Sequence, residues 1–441
     1  MAPHPWLSLP SQLGSCLCKL TESLATDSRF QAFCNLGPGV KEFAFGWKAA
    51  GSDSVIVCHV KPGHVSVAPG SEAEANFILS ALPEQWEQFY KPIPVAPYQS
   101  YWGMVGQNIH QDGVDILGDQ NMFVAYASIW RRVLEMSHEA LHGRMQEDPV
   151  PPPSLEDAIV GRYVYVSPPG WGRTKVFYEQ SGSEQYPDIF FLHTAGSDSR
   201  QYHGVMNEAR MLAKCRMTAF DLPGHGRSFP PETQIPGCYT NTEETYVGCI
   251  REVIRALGLK KPIVCGASMG GHVCLALALR AEELGVGGVI PCQGCDFTNM
   301  DRQWWDRSVS VNQSLFNPEW IYGMMAPTAP RINRDMVWHC YSSQAFGIFH
   351  GDLDFYYGGW DGRTRVKDID TDKCPVYMLT GEYDWSTTPE LSEKTALKIR
   401  GAKFTKMLGL GHFPAAENPH RFVTYLVEAI DYILFQQVER S

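Results

Sequence analysis

From residue 160 onward the chain repeats a short apolar run followed by a longer amphipathic stretch. Residues 163–167, 174–180 and 188–193 predict three strands, and 216–221, 262–265, 288–291, 375–380 and 402–408 predict five more. Between the later ones, apolar positions three and four apart predict helices over 200–213, 243–257, 271–283, 389–400 and 419–437. Runs such as DIFFLH and KPIVCG are apolar on successive positions, as strands buried on both faces of a sheet must be. The pattern therefore predicts an α/β fold, a mostly parallel eight-stranded sheet with helices on both faces. The rhythm stops once, over 295–373, where aromatic side chains including Trp305, Trp338, Tyr341 and Phe346 accumulate. That stretch is expected to be a lid inserted over the carboxyl ends of the strands, where open α/β sheets hold their ligands.

Before residue 146 the pattern is mixed. VIVCHVKPGHVSV (55–67) alternates around Pro62-Gly63 and predicts a β-hairpin. Residues 72–90 carry apolar side chains at Ala75, Ile78, Leu79, Leu82 and Trp86, the spacing of a helix. A second helix is expected over 121–145, with Phe123, Tyr126, Ile129, Trp130, Val133 and Leu134 on one stripe. QEDPVPPPSLED (146–157) forbids helix and favours a stiff, extended connector. The expected organisation is an α+β accessory domain at 1–145, a linker at 146–157 and a catalytic domain at 158–441 with its lid at about 295–373. The apolar stripe must be covered by its own sheet or by a second copy, and a homodimer is expected.

Composition narrows the partners. Lys plus Arg number 37 against 48 Asp plus Glu, a net charge of −11, and no basic block interrupts the chain. Nucleic acid and acidic membrane surfaces are thereby disfavoured. No segment has the apolar length of a membrane span, and the N-terminal residues lack the charge and apolar order of a secretory leader. The 13 cysteines are odd in number and scattered through apolar runs, the usage of reduced core thiols. A cytoplasmic protein is expected. Cys292 and Cys295 form a C-x-x-C without a second pair at zinc spacing, so no metal site is expected.

The chemistry concentrates at PIVCGASMGG (262–271), where a strand runs into Gly266-Ala267-Ser268-Met269-Gly270 and directly into a helix. In such an elbow the serine hydroxyl leaves the sheet on a strained turn, and strand and helix cross so closely that only small residues fit two positions either side. A serine hydroxyl needs a base, and the base needs an orienting carboxylate. Asp384 follows the strand at 375–380 and His412 follows the strand at 402–408, so the order is Ser268, Asp384, His412. Glu382 is the rival carboxylate; Asp384 lies farther into its loop, where it can reach His412. The tetrahedral oxyanion also needs preorganised donors. The Met269 amide is one, and Ala195, or failing it Thr194, in the loop His193-Thr194-Ala195-Gly196 is the other. DLPGHGRS (221–228) reads as a tight turn that needs glycine conformations.

The motifs LHTAG, DLPGHGRS, GASMGG, TGEYD and GLGHF, in that order across about 160–438, resemble the α/β-hydrolase superfamily. The serine at 268 is unlike the haloalkane dehalogenase and epoxide hydrolase branches, and S-x-G-G looks like the branch of esterases, lactonases and carbon–carbon bond hydrolases. Thr194 departs from the glycine that many relatives carry after the histidine. The resemblance implies a serine hydrolase acting on a carboxylic ester or lactone of a bulky apolar small molecule through an acyl-enzyme, with no cofactor. Trp305, Trp338, Tyr341 and Phe346 are then candidates to line its pocket. Hydrolysis of a diketone-like carbon–carbon bond, and a non-catalytic ligand receptor, are the alternatives. The first domain faintly resembles sterol-carrier-protein-like domains, in which a sheet and helices enclose an apolar tunnel.

Overall fold

The computed structural model describes residues 9, 13–34, 42–106, 112–152, 156–298 and 302–439. Residues 153–155 of the expected linker, 299–301 of the expected lid and nearly all of 1–12 lie outside them. The chain divides into two compact units: Met1–Glu147 with Ser308–Thr328, and Asp148–Arg307 with Ala329–Ser441.

In the first unit, β1 (Phe43–Ala49), β2 (Val55–Lys61), β3 (His64–Gly70), β4 (Phe77–Ala81) and β5 (Asp115–Gly118) form one sheet in the order β3-β2-β1-β4-β5. Lys61 pairs with His64 across Pro62-Gly63, closing the predicted hairpin. The helix expected over 72–90 is replaced by β4 and a short helix, Pro83–Phe89. All five residues of β4 are buried, and a strand buried on both faces shows no alternation that separates it from a buried helix. Leu82, preceding Pro83, takes extended dihedrals, and the helix begins only at the proline. The helix expected over 121–145 is two, Gln120–Ala125 and Ala127–His142, joined at non-helical Tyr126. Its stripe is covered within the unit: Phe123 meets the edge of Phe77, and Trp130 lies 4.9 Å from Trp102.

The middle of the expected lid belongs to this first unit. In Ser308–Thr328, Glu319 forms a buried ion pair with Arg131, Tyr322 lies 4.2 Å under the same guanidinium, and Phe316 meets the edge of Trp102. Burial of one charge without the other would cost several kcal/mol, so the pair fixes this segment's place. No periodicity links positions so far apart in the chain.

The second unit carries β6 (Val160–Val166), β7 (Thr174–Ser181), β8 (Asp188–Leu192), β9 (Arg216–Phe220), β10 (Ile263–Ala267), β11 (Gly288–Cys292), β12 (Tyr377–Gly381) and β13 (Lys403–Met407). Their order is β13-β12-β11-β10-β8-β9-β7-β6, parallel except where β7 pairs with β6 and β9. One side of the sheet buries Phe191, Cys265, Ile290 and Leu379 against Val423, Leu426 and Ile430 of the helix Pro419–Glu439. Each such side chain contributes about 1.5–3 kcal/mol, which makes the sheet a stiff platform for the loops at its carboxyl end. The helix Glu243–Leu257 begins at a Thr242 cap and ends at left-handed Gly258, matching its predicted bounds. No described helix is long and apolar enough to cross a membrane. All 13 cysteines are unpaired, and most are buried.

Candidate active site

β10 ends at Ala267, and the helix Met269–Ala278 begins two residues later, so Ser268 alone makes the turn. Its backbone stands at φ 56°, ψ −113°, outside the ordinary regions for a residue with a side chain. Two backbone bonds hold that strain: Ser268 N–H donates to Cys292 O at 2.8 Å, and its carbonyl accepts from His272 N–H at 3.0 Å. The crossing tolerates no side chains. A Cβ on Gly266 would lie 2.3 Å from Gly270 O, and one on Gly271 would lie 2.2 Å from Cys292 O.

Asp384 and His412 follow the adjacent strands β12 and β13, and they meet. Nδ1 of His412 stands 2.7 Å from Asp384 Oδ2, and the two side chains are 4% and 0% exposed. Asp384 Oδ1 accepts from the amides of Ser386 at 2.8 Å and Thr387 at 3.0 Å, so its own loop fixes the carboxylate. Tyr356 supports that loop from the lid through hydrogen bonds to Ser386 and Thr387. Glu382 turns elsewhere and accepts from Gly409 N–H at 2.9 Å. Ser268, also buried, makes no side-chain hydrogen bond to His412 among the described residues. A serine–histidine bond that tightens only around substrate is usual in empty sites.

The loop after β8 is held peptide by peptide. Thr194 N–H donates to Gln201 Oε1 at 3.0 Å, and Gly196 N–H to Asp352 Oδ2 at 2.8 Å. Between them, Thr194 O accepts from His193 Nδ1 at 2.8 Å and from Ser197 N–H at 3.1 Å. In a trans peptide the N–H points opposite to the C=O, so the Ala195 amide is turned away from those donors. Neither the Ala195 nor the Met269 amide has a protein acceptor among the described residues. His193 Nε2 accepts from Leu222 N–H at 3.1 Å, which assigns the proton to Nδ1. Burial, with His225 beside it, pushes the His193 imidazole down to about 4, so this anchor is neutral.

The lid residues have separate fates. Tyr341 is buried; its hydroxyl donates to Ala195 O at 2.9 Å and lies 2.7 Å from Thr194 Oγ1, while its ring meets the edge of Phe413 next to His412. Trp305 is buried, Trp338 is half-buried one turn before Tyr341, and Phe346 is 48% exposed against Gly237. Cys292 faces Cys265 at 3.8 Å and Cys295 faces His272 at 3.6 Å, so the C-x-x-C thiols point to different neighbours. The turn DLPGHGRS has Gly224 and Gly226 at positive φ, and the Asp221 carboxylate accepts from the Ser199 and Arg227 amides. Within it, His225 Nε2 lies 2.7 Å from Asp352 Oδ2 in full burial. Sequence reasoning did not single out Asp352, Asn241 or Gln201; these residues act through contacts between distant segments and leave no spacing signal.

Comparison with known proteins gives this arrangement a family. An uncharacterized protein of Mycobacterium tuberculosis is 23% identical over 272 residues, which span 56% of this chain and 75% of that protein. Among solved structures, a thermophilic esterase from Thermogutta terrifontis aligns at a TM-score of 0.51 and 20% identity, covering 62% of this chain and 99% of the esterase. The enol-lactonase from Burkholderia xenovorans LB400 aligns at 0.51 and 20% identity, covering 61% and 100%. The alpha/beta hydrolase family model matches residues 189–424, from β8 past His412 and over more than half of the sequence, and the chain belongs to that family.

Proposed function

We propose that the protein is a serine hydrolase that cleaves a carboxylic ester or lactone of a bulky apolar small molecule. One observation carries the reading: the strained Ser268 turn shares a compact unit with the buried His412–Asp384 pair and two acceptor-free amides, Ala195 and Met269. Ser268 attacks the carbonyl carbon while His412 takes its proton, and Asp384 holds the imidazole in the tautomer that can accept it. The Ala195 and Met269 amides meet the negative charge that develops on the carbonyl oxygen. His412 then returns the proton to the leaving oxygen, and water clears the acyl-enzyme by the same steps in reverse roles. The esterase and the enol-lactonase share the fold at an identity that speaks for fold alone, so the choice of bond rests on the site. Trp305, Trp338, Tyr341 and Phe346 are proposed to border the acyl pocket. The apolar stripe at 121–145 is covered within its own unit, so the proposed cytoplasmic homodimer must use another face, which light scattering can check.

The test has two parts. A fluorophosphonate probe is expected to label Ser268, and a panel of aryl esters, lactones and β-diketones is expected to turn over in the ester or lactone arm. Turnover of the diketones alone would replace the reading with carbon–carbon bond hydrolysis. Folded protein that takes no label would leave the receptor alternative. Within the ester arm, Trp305→Ala is expected to raise KM for a bulky acyl group by about one order of magnitude through lost apolar contact, and to leave acetyl esters unaffected.

A further inference from the structure

We infer that Asp352, on the lid helix Ile348–Asp354, is a positioning residue that sets the oxyanion hole from above, an inference that rests on the serine-hydrolase reading. Its carboxylate is fully buried, holds three hydrogen-bond partners and has the Tyr239 hydroxyl beside it. Oδ2 accepts from Gly196 N–H at 2.8 Å and meets His225 Nε2 at 2.7 Å; Oδ1 accepts from Asn241 Nδ2 at 3.2 Å. The same Asn241 nitrogen lies 3.5 Å from Met269 Sδ. One lid carboxylate thus reaches both sides of the proposed hole: the loop that bears Ala195 directly, and the Met269 side chain through Asn241.

The Ala195–Gly196 peptide shows how the grip works. Its carbonyl accepts from the Tyr341 hydroxyl and its N–H donates to Asp352, so two lid residues hold one peptide plane at both ends. The preceding plane carries the Ala195 amide, which must point at an oxyanion to within a few tenths of an ångström to be effective. Gly196 stands at φ 63°, and a Cβ there would lie 2.5 Å from Gln344 Oε1 and 2.7 Å from Phe349 Cδ2, so the lid packs directly against this backbone. A carboxylate is a stronger acceptor for an amide than a neutral group, and His225 faces the same oxygen. Burial opposes a proton on His225, yet the Asp352 carboxylate holds its imidazole above the usual value.

Steady-state kinetics of the full chain on an aryl ester, with inhibition by an arylboronic acid that forms a tetrahedral adduct on serine, test the inference. Asp352→Asn is expected to lower kcat about 10- to 100-fold, to weaken the boronate by a similar factor and to leave KM within about threefold. Tyr341→Phe removes one hydroxyl and keeps the ring; it should show the same split at about 5- to 10-fold, and it carries the test if Asp352→Asn does not fold. Unchanged kcat, or a loss of kcat with boronate affinity intact, would overturn the inference and assign Asp352 to packing alone. Wild-type protein that takes no fluorophosphonate and cleaves no ester would instead remove the serine-hydrolase reading and this inference with it, a result read before any variant is made.

Discussion

The second unit buries two histidine–carboxylate pairs of equal length, and they differ in everything around them. His412 and Asp384 meet at 2.7 Å, as do His225 and Asp352. Asp384 takes its remaining hydrogen bonds from its own loop, two backbone amides within three residues. Those amides belong to one turn after β12, and the lid touches that turn only through the Tyr356 hydroxyl on the Ser386 and Thr387 side chains. Asp352 takes its bonds from three separate segments, at Gly196, His225 and Asn241. The first pair leaves one ring nitrogen, His412 Nε2, without a bond among the described residues; in the second, His225 Nδ1 also lies 3.3 Å from Pro223 O. Distance and burial therefore do not separate the base proposed at His412 from the clamp proposed at His225 and Asp352. The free valence does.

Four experiments press on that contrast. Ser268→Ala should lower kcat by ~10⁵- to 10⁶-fold with the fold retained, whereas Ser197→Ala, in the same unit, should cost less than ~10-fold. Equal losses would put the nucleophile elsewhere. Next in size, Asp384→Asn should lower kcat by about 10³- to 10⁴-fold, because the amide favours the wrong imidazole tautomer. Glu382→Gln should cost under ~10-fold, since Glu382 only holds the Gly409 amide; a reversal of these two values would exchange their roles.

The contrast between the histidines themselves is sharper. His412→Gln should match Ser268→Ala, while His225→Gln, which can still donate to Asp352, should lower kcat by only about 10-fold. Similar losses at both would mean that the two pairs are not functionally distinct.

The smallest effect is on stability against pH, followed by urea denaturation between pH 4 and 9. His225 is held above its usual value, so its contribution is complete at low pH and is lost as pH rises through the folded-state value. His193 and His272 are pushed by burial down to about 4 and about 3, so they act in the opposite sense. Below about pH 6.5 the unfolded chain takes up protons that these two refuse, and stability falls by up to ~1.4 kcal/mol per pH unit for each. His272→Phe, stacked on Tyr356 as the histidine is, should remove one proton's worth of the acid slope. An unchanged slope would mean that His272 is protonated in the folded state.

The strained turn at Ser268 and the meeting of Asp384 with His412 were legible because each residue lies within a few positions of a strand end, and strand ends are marked by local pattern. GASMGG needs its glycines for a close crossing that any such turn must make, so the chemistry and the spacing coincide. Strand β4 was misread because complete burial erases the period that distinguishes a strand from a helix. Asp352 was not legible for a different reason. It lies in an irregular lid 156 residues from the amide it accepts, and its role depends on which loop folds beneath it. The same holds for Glu319, whose partner Arg131 stands 188 residues earlier.

That last pairing has a consequence for how the chain is made. The first unit lacks its last segment until Ser308–Thr328 has been synthesised, roughly 180 residues after Glu147. At ~5–20 residues per second, Arg131 waits about 10–40 s for Glu319 while strands β6 to β11 leave the ribosome. The usual order, in which an amino-terminal domain completes itself first, cannot apply. A chain stopped within that interval leaves Arg131 with Glu135 but without Glu319, and Trp102 without Phe316, so a piece ending at the proline-rich connector lacks part of the first unit.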